Sequence, residues 1–117
     1  MSGGNAKRIA ELNDQLRTAL GLLTGIPGMM VMTRGIAALP DLAKIEVFKQ
    51  VRDFSAFTED NDPHGEHDFG AFDHTVAGKI FWKIDYYADE TCQWGSEAPE
   101  DPQRCYRVLT IMLAHEW

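Results

Sequence analysis

Several things are scarce in this chain, and each scarcity removes a class of protein. There are two cysteines in 117 residues, Cys92 and Cys105, with neither a CxxC knuckle nor a disulfide framework. Two free thiols in a reducing compartment are expected, with Cys105 packed in the core. No apolar run approaches the length of a membrane span. The opening MSGGNAKRIAELND lacks the apolar core of a secretory signal, so a cytoplasmic protein is expected. No internal repeat or linker is visible, and the length fits one domain over residues 1–117. No GxSxG, HExxH or paired CxxC occurs.

Basic charge is scarce in the middle of the chain. From Asp53 to Asp101 there are 13 acids and only two lysines, Lys79 and Lys83, a net of −11. The remainder carries nine basic and five acidic residues, and the whole chain stands at −7. An acidic middle argues against direct phosphate or nucleic-acid binding there. It favours a cation or a basic surface on a protein partner, although acids also serve solubility.

Hydrophobic residues make up 44% of the chain, enough for a real core. Ile9, Leu12, Leu16 and Leu20 recur at spacings of three and four, which predicts a helix over 6–20 with one core face. Gly21, Gly25, Pro27 and Gly28 make 21–28 a connector; without GxxxxGK[ST] it is no phosphate loop. Met29 to Thr33 reads as a buried strand, followed by a turn at Arg34-Gly35. Residues 40–54 predict a second helix, with Pro40 in the first turn and Asp41 at the positive end of the dipole. Its core face is expected to carry Ile45, Phe48 and Val51, flanked by Leu42 and Phe54.

His67–Asp73 and Lys79–Tyr87 predict a β-hairpin around a five-residue loop, His74–Gly78. Alternation puts Ile80, Trp82, Ile84 and Tyr86 on the core face, and Phe81, Lys83, Asp85 and Tyr87 on the other. The second set mixes aromatic with charged groups, so it is expected to line a groove or meet a partner. Lys83 and Asp85 share a side and can pair. Cys92 to Ser96 suggests a short third strand, and Asp101-Pro102 a helix start. The expected last helix would use Cys105, Val108, Leu109, Met112 and Leu113, with His115, Glu116 and Trp117 frayed. The expectation is an α+β domain: about three helices on a small, mainly antiparallel sheet with a central β-hairpin.

The loop before the hairpin, FTEDNDPHGEHDFG, carries the candidate chemistry. Asp60, Asp62, His64, Gly65 and Asp68 fall at positions one, three, five, six and nine of a calcium loop, but Ala71 stands where the bidentate Glu belongs. His64 and His67, with Asp60, Asp62, Glu66 or Asp68, are an alternative transition-metal set. The competing structural reading is that Asp60, Asn61 and Asp62 make Asx turns. The HxE string at 64–66 lacks its PCxxC half, and the DFG string at 68–70 lacks every other kinase element. An acid–base cluster of His67, Asp68 and Asp85 near Tyr86 and Tyr87 remains as a catalytic alternative.

The strings LND-x-LR, FTEDNDPHGEHDFGAF, IFWKIDYY and RVLTIMLAHEW together resemble an uncharacterised bacterial family, domain of unknown function 3768, over about residues 9–117. The resemblance implies an association with plasmids and other mobile elements, and carries no established activity. Family members often have Tyr where His64 stands, which weakens a metal site built on it. Small acidic proteins of mobile elements often bind host defence or nucleic-acid machinery. The expected function is therefore non-enzymatic binding of a host protein, without cofactor or membrane. The expected surface is Asp60, Asp62, Glu66, His67, Asp68, Phe81, Lys83, Asp85 and Tyr87. The alternatives are a small enzyme using His67, Asp68 and Asp85, with a divalent metal as its cofactor if one is held, and a homodimer formed through the open sheet face or edge.

Overall fold

A computed structural model describes residues 2–22 and 24–117; Leu23 of the connector lies outside the described residues. The chain is α+β, with three α-helices and a four-stranded mixed sheet. The elements are α1 (Ser2–Thr18), β1 (Gly28–Met32), α2 (Arg34–Ala37), α3 (Asp41–Arg52), β2 (Phe69–His74), β3 (Gly78–Tyr87) and β4 (Tyr106–Leu113). Short 3-10 turns at Pro102–Arg104 and Ala114–Glu116 flank β4. The sheet order is β1-β4-β3-β2. β1 runs parallel to β4, whereas β4–β3 and β3–β2 are antiparallel. The hairpin therefore has its second strand inside the sheet and its first at the edge.

The core lies between the helices and one sheet face. Leu16, Ile36, Val47, Val51, Ile80, Trp82, Ile84, Leu109 and Ile111 form it, all at 3% exposure or less. Each large apolar side chain buried in this way contributes roughly 1.5–3 kcal/mol. The α1 stripe behaves as its spacing predicts, with Ile9, Leu12 and Leu16 buried. On α3 the expected Phe48 and Val51, with Phe54 just beyond its end, do pack on the core, but Leu42 and Ile45 do not. Ala43, Val47 and Val51 point in, while Leu42 and Ile45 remain 70% and 49% exposed.

Three sequence expectations are corrected. The expected last helix is β4, the strand between β1 and β3. Its far face carries apolar Val108 and Met112, both buried, beside inward Leu109 and Ile111, so the run is nearly continuous and shows little period of two. The Asp101-Pro102 start signal is real: Asp101 Oδ1 accepts the Gln103 N–H at 3.0 Å. It opens a single 3-10 turn and no more. The expected strand at Cys92–Ser96 reduces to one bridge, Gly95 to Tyr87. The Arg34-Gly35 turn is the start of α2, which sends Ile36 into the core.

The hairpin turn is Thr75–Ala77, closed by Gly78 at φ +79°. His74 holds it from beneath. Its Nδ1 accepts the N–H groups of Val76 and Ala77 at 3.2 and 3.1 Å, and its Nε2 lies 2.7 Å from Glu46 on α3.

Candidate functional site

The acidic loop before β2 folds mainly by satisfying its own backbone. Asn61 Oδ1 accepts the Thr58 N–H at 2.9 Å. Asp62, only 8% exposed, accepts the N–H groups of Glu66 and His67 on Oδ1, each at 3.1 Å. This is the Asx chemistry expected of the string. It holds His67 at φ +55°, a conformation a non-glycine residue rarely adopts. The His67 ring stacks on Phe57 at 3.9 Å, with Nδ1 3.1 Å from Asp14 of α1.

Behind the loop runs a buried polar chain. Arg107 Nε donates to Asn13 Oδ1 at 2.7 Å. Asn13 Nδ2 donates to the Tyr86 hydroxyl and to the Glu66 carbonyl, each at 2.9 Å. The Tyr86 hydroxyl donates to Glu66 Oε1 at 2.9 Å. Burial pushes the Tyr86 hydroxyl pKa far up and the Arg107 pKa down. Asp68 is raised by burial and then by the neighbouring charges of Glu66 and Asp62. Arg17 ties α1 to the end of α3, donating from Nη1 to the carbonyls of Val51 and Arg52 at 2.9 and 3.0 Å. The network locks loop, helix and sheet together, and its shifted pKa values follow from burial.

The metal and catalytic alternatives meet this geometry differently. Among the described residues no three His, Cys, Asp or Glu side chains converge on one point. Asp60 and His64 are exposed, while Asp62 and His67 are engaged as above. His67 and Asp85 fall on opposite sides of the sheet. His67 lies with Phe57 over Trp82 on the helix side, whereas Asp85 pairs with Lys83 at 3.0 Å on the other. The structure thus does not assemble His67, Asp68 and Asp85 into one acid–base group. Both cysteines are free, and Cys105 is buried.

The face turned away from the helices carries the mixed chemistry that alternation foretells. Phe81 stands opposite Met112, Lys83 opposite Thr110, Asp85 opposite Val108 and Tyr87 opposite Tyr106. A cleft of about 500 Å³ opens over Lys83, Asp85, Tyr87 and Thr110, walled by Thr33, Glu116 and Trp117. Trp117 folds back over this face. Its ring meets Phe69 and Phe81 edge-on at 5.4 and 5.5 Å, and the Lys83 ammonium lies 5.8 Å from its centroid.

The nine residues expected to bind a partner therefore divide. Phe81, Lys83, Asp85 and Tyr87 share the open face. Asp60, Asp62, Glu66, His67 and Asp68 belong to the loop, where all but Asp60 are at least partly buried. Thr33, Phe69, Thr110, Glu116 and Trp117 complete the face and were not foreseen. A strand period over 106–113 would have put Thr110 there, and with it the turn that carries Glu116 and Trp117.

Fold and site together define a small α+β protein with one sheet face left open. Residues 32–116 match the family described as Protein of unknown function (DUF3768), and the chain belongs to that family. No curated protein and no solved structure matches it.

Proposed function

We propose that the protein is a non-enzymatic binding protein that holds a partner protein on the open face of its sheet. One observation carries this reading: helices cover one sheet face, while the other presents Lys83, Asp85 and Tyr87 around an open cleft, with Phe81 beside it against Trp117. Aromatic and paired charged groups at such a surface are the chemistry of protein recognition. Of the groups the enzyme alternative would use, His67 is engaged with Asp14 and Asp85 with Lys83, on opposite sides of the sheet.

The partner's charge follows from the exposed acids. Glu59, Asp60, Asp73, Asp89, Glu90 and Glu97 are all exposed and favour a basic surface. The family resemblance to proteins of plasmids and mobile elements supports a host protein as that partner, met in the cytoplasm. Asp62, Glu66 and Asp68 contribute by shaping the loop, and Asp60 by its free charge.

Affinity capture with wild type, Phe81→Ala/Tyr87→Ala and Glu59→Gln/Asp60→Asn tests the proposal. Loss of capture by the first variant, and a weakened salt dependence in the second, are expected. Capture unaffected by the open-face pair would contradict it.

A further inference from the structure

Glu116 and Trp117 lie where a ligand of the open face would lie. The Glu116 carboxylate takes three donors. Thr33 Oγ1 at 2.5 Å and the Leu113 N–H at 2.9 Å reach Oε1, and the Gly35 N–H at 2.8 Å reaches Oε2. No cation pairs with it among the described residues. These bonds, Thr33 first, hold the carboxyl below its ordinary range.

The place is shaped for that group. A Cβ on Gly35 would lie 2.8 Å from both carboxylate oxygens and 2.4 Å from Leu113 Cδ1. A side chain there would have to push the carboxylate and the Leu113 methyl aside, although the glycine's own backbone conformation is ordinary. One residue further on, Trp117 rests against Phe69 and Phe81 by ring edges and stays 67% exposed. At the end of the segment's 3-10 turn the Trp117 N–H donates to the Ala114 carbonyl over a long 3.3 Å. The segment's attachments are side-chain contacts that another chain could make equally well.

We infer that Thr33, Gly35, Leu113, Phe69 and Phe81 form a peptide seat that recognises a carboxylate followed directly by an aromatic side chain. The chain's own Ala114–Trp117 occupies the seat as a built-in pseudo-ligand. A partner segment with an acidic–aromatic pair takes its place, and the open face is cleared for binding. The inference rests on the open face being the binding surface; the partner's overall charge is still set by the exposed acids of the molecule. A covalently attached competitor acts at high effective concentration, so the partner must outbid it.

The probe is the pentapeptide Leu-Ala-His-Glu-Trp, capped at both ends, titrated into full-length Glu116→Ala/Trp117→Ala. Saturable binding at least ten-fold tighter than to wild type is expected. The peptide Leu-Ala-His-Gln-Ala should not bind, and adding Gly35→Ala to the variant should abolish binding. Absence of saturable binding to a variant that melts cooperatively would overturn the seat, as would equal binding of the control peptide. Should the double variant not fold, Trp117→Ala alone serves, read by hydrogen exchange at the Gly35 amide. Peptide must then slow that exchange, and no change would overturn the inference. Partner capture that depends on Phe81 and Tyr87 while the peptide fails to bind removes the seat and leaves the open-face reading standing. Peptide binding without such dependence removes the open-face reading.

Discussion

Asn13 and Arg107 stand 94 positions apart in the chain, yet Arg107 Nε donates to Asn13 Oδ1 at 2.7 Å with both side chains at 0% exposure. Among the described residues no carboxylate lies within ion-pair distance of the guanidinium. It relies on this amide, on the Pro99 carbonyl and on the Tyr86 ring 5.3 Å away. Asn13→Ala should therefore cost about 3 kcal/mol, because it strands a buried charge and also deprives Tyr86. The melting midpoint should fall by about 10 °C or more. Adding Arg107→Met should cost less than the two single changes summed, by about 1 kcal/mol or more, because the charge is no longer buried. Strict additivity would show that the two side chains do not support one another.

Gly70 and Trp82 form a second close fit. They are register partners, and a Cβ on Gly70 would lie 2.3 Å from Trp82 Nε1. The indole N–H, which is buried without a partner, sits in the space a side chain would fill. Gly70→Ala should cost about 2–3 kcal/mol by overpacking. The emission of Trp82, the one fully buried tryptophan, should shift to the red as its ring is displaced. A neutral result in chemical denaturation would refute this packing.

Asp68 is the carboxyl whose surroundings oppose its charge. Burial raises its pKa first, then the charges of Glu66 and Asp62. A raised folded-state pKa means the folded protein binds the proton more readily than the unfolded chain. Stability therefore falls as pH rises from the ordinary value of 3.8 through the folded value, and the penalty is complete at neutral pH. Asp68→Asn should raise the melting midpoint at pH 7. Its advantage over wild type should shrink as pH approaches 3.8. A variant less stable at pH 7 would show that the ionised carboxylate makes a favourable contact.

How far these features were legible in the sequence depends on whether their cause was local. The α1 stripe and the alternation of β3 are local patterns, and both led to the right faces. From the latter came four residues of the open face. β4 resembles a helix in sequence because Val108 and Met112, apolar on the far face, stand among the inward apolar residues and mask the period of two. That likeness also cost Glu116 and Trp117, read as a fraying end when they belong to the cleft wall. On α3 Phe48 and Val51, with Phe54 just beyond its end, pack on the core as their pattern implies, but bulky Leu42 and Ile45 stay exposed while small Ala43 and Val47 are buried. The loop showed its Asx chemistry, but not which acids would be buried. That depends on Asn13 and Asp14, 53 positions away from Glu66 and His67 respectively.

The central claim, that the open sheet face holds a protein partner, is tested most directly by site-specific photocrosslinking in cells. A photoreactive phenylalanine analogue would replace Phe81 or Tyr87 on the open face, and Leu42 on the exposed side of α3. The account predicts one discrete adduct from positions 81 and 87, dependent on light, and none from position 42. Adducts from position 42 alone, or none from either open-face position, would contradict it.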